Sequence, residues 1–203
     1  MPKMSQGLYR TPLSPAYWGS AQASMKSLKV LVFAALMVAM ARALSLLPSI
    51  PIGSTRMSFG FLARALCALV SGPVMGLAYG FVEDILGFML DPSGDFFFGY
   101  TLSTMAGMLV YALCFYRARI TVWRILLSNI LVNVVVNAML GSVWTMMMRG
   151  GGYWGWFSYS LMKNLATIIP KTVVLYILFQ ALLPILYRMD LIPRQVEGRI
   201  KFF

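Results

Sequence analysis

Apolar residues fall in long runs along this chain, separated by short polar stretches. The runs predict helices at about Leu28–Leu47, Phe59–Val70, Val74–Leu90, Tyr100–Tyr116, Ile125–Met147 and Ser158–Tyr187. Most approach the roughly 20 residues that one bilayer crossing needs. The second is short, which predicts a tilt or a start inside the Pro48–Ser58 loop. Ser71-Gly72-Pro73 predicts a tight turn before the third. That third run carries Gly72, Gly76 and Gly80 at four-residue spacing, so one face of it lets a second helix backbone approach closely. Asp84 continues the face, and Gly87 follows. A carboxylate inside an apolar segment must meet a partner helix or a wet cavity. A polar pocket is therefore expected within Met57–Ser103.

Composition agrees with the pattern. Apolar residues make up 60% and charged residues 11% of the 203, far from the quarter charged that is usual in soluble domains. The predicted class is an all-α membrane protein, a bundle of six transmembrane helices. Residues 1–27 form a basic, uncleaved cytoplasmic arm, 28–187 the substrate-binding bundle and 188–203 a basic cytoplasmic tail. The net charge of +11 would suit nucleic acid, but the cations gather at helix ends and termini, so that partner is excluded. The arm, the Arg117–Arg124 loop and the tail are basic, whereas the opposite loops hold Arg56, Asp91, Asp95 and Arg149. Both termini are therefore expected in the cytoplasm. The chain contains no histidine, which removes histidine-based catalysis and metal ligation. Cys67 and Cys114 lie within apolar runs and are expected as buried thiols without a disulfide.

Several residues stand out chemically. Ala35, Ala39 and Ala43 form a small-residue stripe, for packing within the chain or against a partner. Arg42 is expected to snorkel to the headgroups. Arg64, Glu83 and Asp84 either pair among themselves or reach a ligand. Phe96–Phe98 and Tyr100 suit an interfacial aromatic belt. Asn129, Asn133 and Asn137 repeat every fourth residue, with Gly141 and Trp144 after them. Such a face suits interhelical hydrogen bonds, a flat heterocyclic ligand, or both, with Asn137 and Trp144 nearest the ligand. Arg149–Phe157 predicts a flexible aromatic loop, either a lid or an interface anchor. Lys163, and Lys171 two turns deeper, are expected away from lipid.

The phrases SFGFL at 58–62, GPVMGLAYGFVEDILGFML at 72–90 and FFFGYTLSTMAGMLVYALCFYR at 96–117 resemble substrate-binding S components of energy-coupling factor vitamin transporters. Asn137–Trp144 and Lys163–Pro170 extend the resemblance, which covers Leu28–Tyr187 and is greatest to the folate-specific branch. This chain departs from that branch in Phe98 for a proline, Glu83 for a small residue, and Pro170-Lys171-Thr172 for a Pro-Ile-Gln/Glu step. The resemblance implies a multi-pass protein of the bacterial cell membrane, not an enzyme. It would bind a vitamin, folate before others, with no cofactor. Its partners would be a membrane coupling protein and a pair of ABC-type ATPases, and the alanine stripe would dock on the coupling protein. For folate, the expected contacts are Trp144 and Tyr100 for stacking and Asn137 at the ring edge. Arg56, Lys163 and Arg64 are expected at the carboxylates. Asp84 would read the amino-pyrimidine edge or pair with Arg64. The alternatives are an S component for another vitamin or heterocycle, and a stand-alone ion-coupled transporter using Glu83 and Asp84 as relays.

Overall fold

The computed structural model describes residues 8, 14–52, 55–92, 96–193 and 200, with the side chains of Thr55 and Arg56 outside that set. The expected charges at Lys3, Arg10, Asp95, Arg194, Arg199 and Lys201 lie outside the described residues.

The apolar runs become helices nearly where their pattern predicts. They are α2 (Leu28–Ser45), α3 (Gly60–Leu90), α4 (Phe98–Phe115), a bent rod from Val122 to Arg149, and α7 (Tyr153–Arg188). The rod comprises α5 (Val122–Leu131), a π-helical stretch Val132–Leu140 and α6 (Gly141–Arg149). All five rods are long and apolar enough to cross a membrane. The helices expected at Phe59–Val70 and Val74–Leu90 are the two halves of α3. They are separated by one break at Gly72, whose φ of 78° favours glycine, beside Pro73. Counting both halves gives the expected six apolar segments.

Close packing follows the glycines. A Cβ on Gly80 would lie 2.9 Å from Met105 Cα of α4, nearer than two real atoms settle. α3 and α4 therefore cross almost backbone to backbone. Cys67 is buried, Cys114 half-buried, and both are free thiols.

Two elements depart from the expected pattern. The arm contains a helix, α1 (Pro15–Met25), with Tyr17, Ala21 and Ser24 buried. Ser24 Oγ donates to the Ser71 carbonyl at 2.9 Å, just before the α3 break. Tyr17 OH donates to Ala112 O at 3.0 Å and Tyr116 OH to Ser20 O at 3.2 Å. The loop expected at Pro48–Ser58 holds an antiparallel pair, β1 (Ile50–Ile52) and β2 (Thr55–Met57), with Ile50 opposite Met57. Met57 is 2% exposed, so the hairpin pushes one apolar side chain into the bundle. The aromatic loop expected at Arg149–Phe157 is helical from Tyr153 onward. Its glycines do break the chain, at Gly150 and Gly151 with φ of 72° and 90°.

Candidate ligand-binding site

Two adjoining cavities open inside the bundle. The inner one, of about 320 Å³, lies under the hairpin between α3, α4, the π-helical stretch and α7. Met57 and Ser58 lie at its hairpin end, with Phe61, Tyr100 and Tyr111 as aromatic lining and Asn137 and Lys171 as polar lining. The second, of about 590 Å³, lies between the ends of α2 and α3 and the start of α4. Arg42, Asp84, Phe97 and Asp91 line it. Arg64 and Tyr100 border both.

Arg64 is held by Glu83. Its Nε donates to Oε2 at 2.9 Å and its Nη2 to Oε1 at 3.0 Å, a forked pairing of guanidinium and carboxylate. Arg42, from α2, donates to the same Oε1. Arg42 therefore does not snorkel. It turns inward because Gly87 has no side chain: a Cβ there would lie 2.9 Å from Arg42 Cζ. Glu83 is fully buried, and one carboxylate meets two guanidiniums from two other turns of the bundle. Buried charge is tolerated only with such partners.

Asp84 does not pair with Arg64. Thr101 Oγ1 donates to its Oδ2 at 2.7 Å and Thr104 Oγ1 to its Oδ1 at 3.0 Å. The carboxylate pins the start of α4 to α3 while facing the outer cavity.

The asparagine stripe grades from structural to open. Asn129 accepts from Tyr111 OH at 3.3 Å and donates to Thr172 Oγ1 at 3.1 Å, tying the rod to α4 and α7. Asn133, also fully buried, donates to the Asn129 carbonyl at 2.8 Å. Its Oδ1 accepts from Lys171 Nζ at 2.8 Å, Thr167 Oγ1 at 3.4 Å and Asn137 Nδ2 at 3.5 Å. Asn137 lies at the cavity wall. The stripe makes the expected interhelical hydrogen bonds through two of its amides, and the third lines the cavity. Asn133 and Asn137 fall in the π-helical stretch, a geometry common at functional sites.

Trp144 lies behind the site. Its Nε1 donates to Ser103 Oγ at 2.9 Å, and its ring meets Phe97 edge-on at 5.8 Å. Gly99 makes room for it, since a Cβ there would lie 2.6 Å from Trp144 Cδ2. Of the expected ligand contacts, the structure brings together Arg64, Asp84, Tyr100 and Asn137, with Trp144 against Ser103. Lys163 lines neither cavity; its Nζ lies 5.0 Å from the centre of the Tyr159 ring. The Arg56 side chain lies outside the described residues. Lys171, not singled out for the ligand by sequence, is on the cavity wall, and Arg42 borders the outer cavity. Both signals were present as intramembrane cations, but spacing alone does not give depth or facing. Among the described residues no cluster of histidine, cysteine or acidic side chains could hold a metal ion.

On the opposite side, α2 turns Ala35, Ala39 and Ala43 outward, away from the bundle. Its buried face is Val30, Ala34, Met37, Val38 and Ala41.

Comparison with known proteins supplies the context. The sequence profile of the family described as "ECF transporter, substrate-specific component" matches residues 29–191. The folate transporter FolT of Clostridium novyi (strain NT) is 29% identical over 152 residues, covering 75% of this chain and 88% of that protein. The folate transporter FolT of Leuconostoc mesenteroides subsp. mesenteroides is 29% identical over 125 residues, covering 61% of this chain and 64% of its own length. A crystal structure of FolT bound with folic acid superposes with a TM-score of 0.65 at 24% identity, covering 74% of this chain and 91% of that one. At that identity the structural likeness speaks for the fold.

Proposed function

We infer, because the chain belongs to the substrate-specific components of ECF transporters, that it is the membrane subunit that captures folate for such an importer. The observation that carries this reading is the inner cavity, which begins beside Met57 at the end of the hairpin and is lined by rings, two cations and an amide. Its volume of about 320 Å³ falls in the range of small-molecule sites, roughly 300–1,000 Å³. A pterin ring suits the space between Phe61, Tyr100 and Tyr111, with Asn137 at its edge and Trp144 supporting the wall through Ser103. The glutamate carboxylates then extend toward Arg64 and the outer cavity, where Arg42 adds a second guanidinium. Arg56 on the hairpin is a further candidate for these carboxylates. Lys163, held over Tyr159, is a weaker one. Asp84 lines the outer cavity with both oxygens engaged, which favours a scaffolding role over reading the ring edge.

The remaining parts follow from family membership. Uptake requires a coupling protein and a pair of ABC-type ATPases, and the outward alanines of α2 are the proposed docking seam. The basic arm and the Arg117–Arg124 loop suit the cytoplasmic side of a bacterial plasma membrane. Glu83, ion-paired to two arginines, is poorly placed to relay protons or ions, which disfavours the stand-alone transporter.

The test is direct. Folic acid added to the purified protein should quench tryptophan fluorescence saturably, and less so in Trp144→Leu. Protein that emerges from cells without a bound pterin and gives no response to folic acid would overturn the folate assignment.

A further inference from the structure

At one point beside the inner cavity, three hydrogen-bond donors converge on a single acceptor. Lys171, Thr167 and Asn137 all aim at one atom, Asn133 Oδ1, at 2.8, 3.4 and 3.5 Å. A carbonyl oxygen has two lone pairs, so three donors exceed what it satisfies. Asn133 is itself fully buried, and its own amide is spent on the Asn129 carbonyl. Thr167 has a second acceptor, the Asn164 carbonyl at 2.8 Å. The two donors without further acceptors, Lys171 and Asn137, are the two that line the cavity. The Lys171 ammonium forms no ion pair among the described residues. Its nearest ring is Phe61, 5.9 Å from centroid to Nζ. An ammonium carries three donors and no acceptor, and among the described residues the one protein oxygen that Lys171 meets, Asn133 Oδ1, is shared with two other donors.

We propose that Lys171, with Asn137 beside it, is the specificity determinant that receives a ring oxygen of the ligand, and that it makes this chain prefer 4-oxo pteridines over 4-amino pteridines. The inference rests on the folate reading and deepens it. The oxygen belongs to the ring and not to the glutamate for a reason of surroundings. Phe61, its ring centre 5.9 Å from Lys171 Nζ, lines the inner cavity together with Tyr111, Val132 and Val136, a lining that accepts a flat ring. The guanidiniums that suit a carboxylate pair, on Arg64 and Arg42, border the outer cavity, which Lys171 does not line. A 4-oxo group offers lone pairs to the ammonium. A 4-amino group points N–H at N–H, and mismatch of this kind is what gives polar sites their large discrimination.

The experiment is calorimetric titration of the full-length protein in detergent with folic acid and with 4-amino-4-deoxyfolic acid, which differ in the substituent at position 4 and, with it, in the hydrogen on the adjoining N3. Wild-type protein should bind folic acid about 10-fold or more tightly. Lys171→Met should bring the two ligands to within about 3-fold, mainly by weakening folic acid. Asn137→Ala should narrow the gap in the same sense. Equal affinities in wild type overturn the inference while leaving the folate reading intact, and this arm needs no variant to fold. A gap that survives Lys171→Met also overturns it. Pteroic acid, which lacks the glutamate, separates the remaining possibility. If Lys171→Met weakens folic acid but spares pteroic acid, the ammonium holds the tail and the inference is wrong. Wild-type protein that binds none of these compounds sinks the folate reading and this inference together.

Discussion

The carboxylate of Glu83 and the ammonium of Lys171 are both enclosed by helices, yet only Glu83 meets its opposite charge. Around Glu83 both carboxylate oxygens are met by cations: Arg64 is forked onto them and Arg42 arrives over Gly87, its buried Nε without a partner among the described residues. Lys171 has one protein acceptor among those residues, and shares it with two other donors. A closed buried network specifies the fold, because removing a member strands its partner. An open one specifies a ligand. The contrast teaches where to look for ring specificity in a bundle rich in buried polar groups: at the shortage of acceptors around Lys171, while the two guanidiniums that share one carboxylate at Glu83 keep positive charge in excess.

Measurements can break this contrast or sharpen it. Glu83→Ala should cost about 3 kcal/mol of stability, because it leaves two half-buried guanidiniums without their counter-charge. Adding Arg42→Met to that variant should recover part of the loss, as coupled neighbours do. Thermal melting in detergent reads both, and a single variant as stable as wild type would remove the distinction. Lys171→Met should have the opposite sign without ligand, gaining about 1 kcal/mol, since a cation lacking a carboxylate is replaced by an apolar chain of similar length. Asn133 Oδ1 keeps Thr167 and Asn137 as donors. Melting of the ligand-free variant well below wild type would place Lys171 in the closed class. Asp84→Asn should fall between, losing about 1 kcal/mol, because an amide keeps one acceptor for two threonine hydroxyls. A loss as large as that of Glu83→Ala would mean that Asp84 carries more than the pinning of α4. Ala39→Trp, on the outward face of α2, should shift stability by no more than about 0.5 kcal/mol and leave folic acid affinity unchanged. It should abolish co-purification with the coupling protein. A variant that unfolds instead returns the stripe to internal packing.

The helical runs, the turn at Gly72 and the glycine face were legible because each depends on neighbours in sequence. Hydropathy sets the runs, proline beside a glycine sets the break, and four-residue spacing sets the face. α1 was not legible, because Tyr17, Ala21 and Ser24 share a face with prolines, a glycine and polar residues interleaved. Two strands of three residues are too short to show alternation. The site was half legible. Spacing put Asn137, Tyr100 and Arg64 near a pocket, but it could not tell Lys163 from Lys171. The two are eight residues apart on one helix and nearly on one face. What separates them is which neighbour stands opposite: the ring of Tyr159 in one case, the amide of Asn133 in the other. Arg42 was assigned to the membrane surface because its partner comes from a helix forty-one positions later, a distance at which periodicity carries nothing.

Gly87 and Arg42 also constrain what this chain can become. A methyl group at position 87 would occupy the space the guanidinium passes through. Neither residue can then be exchanged alone without leaving Glu83 short of a partner. The two positions, on different helices, form one heritable character: a descendant that fills position 87 must shorten position 42 in the same step or pass through a poorly folded intermediate. In a mutational library the pair should appear as an island. Each single change would be depleted, and the combination of a small residue at 42 with a larger one at 87 would be restored in part, since Glu83 keeps Arg64.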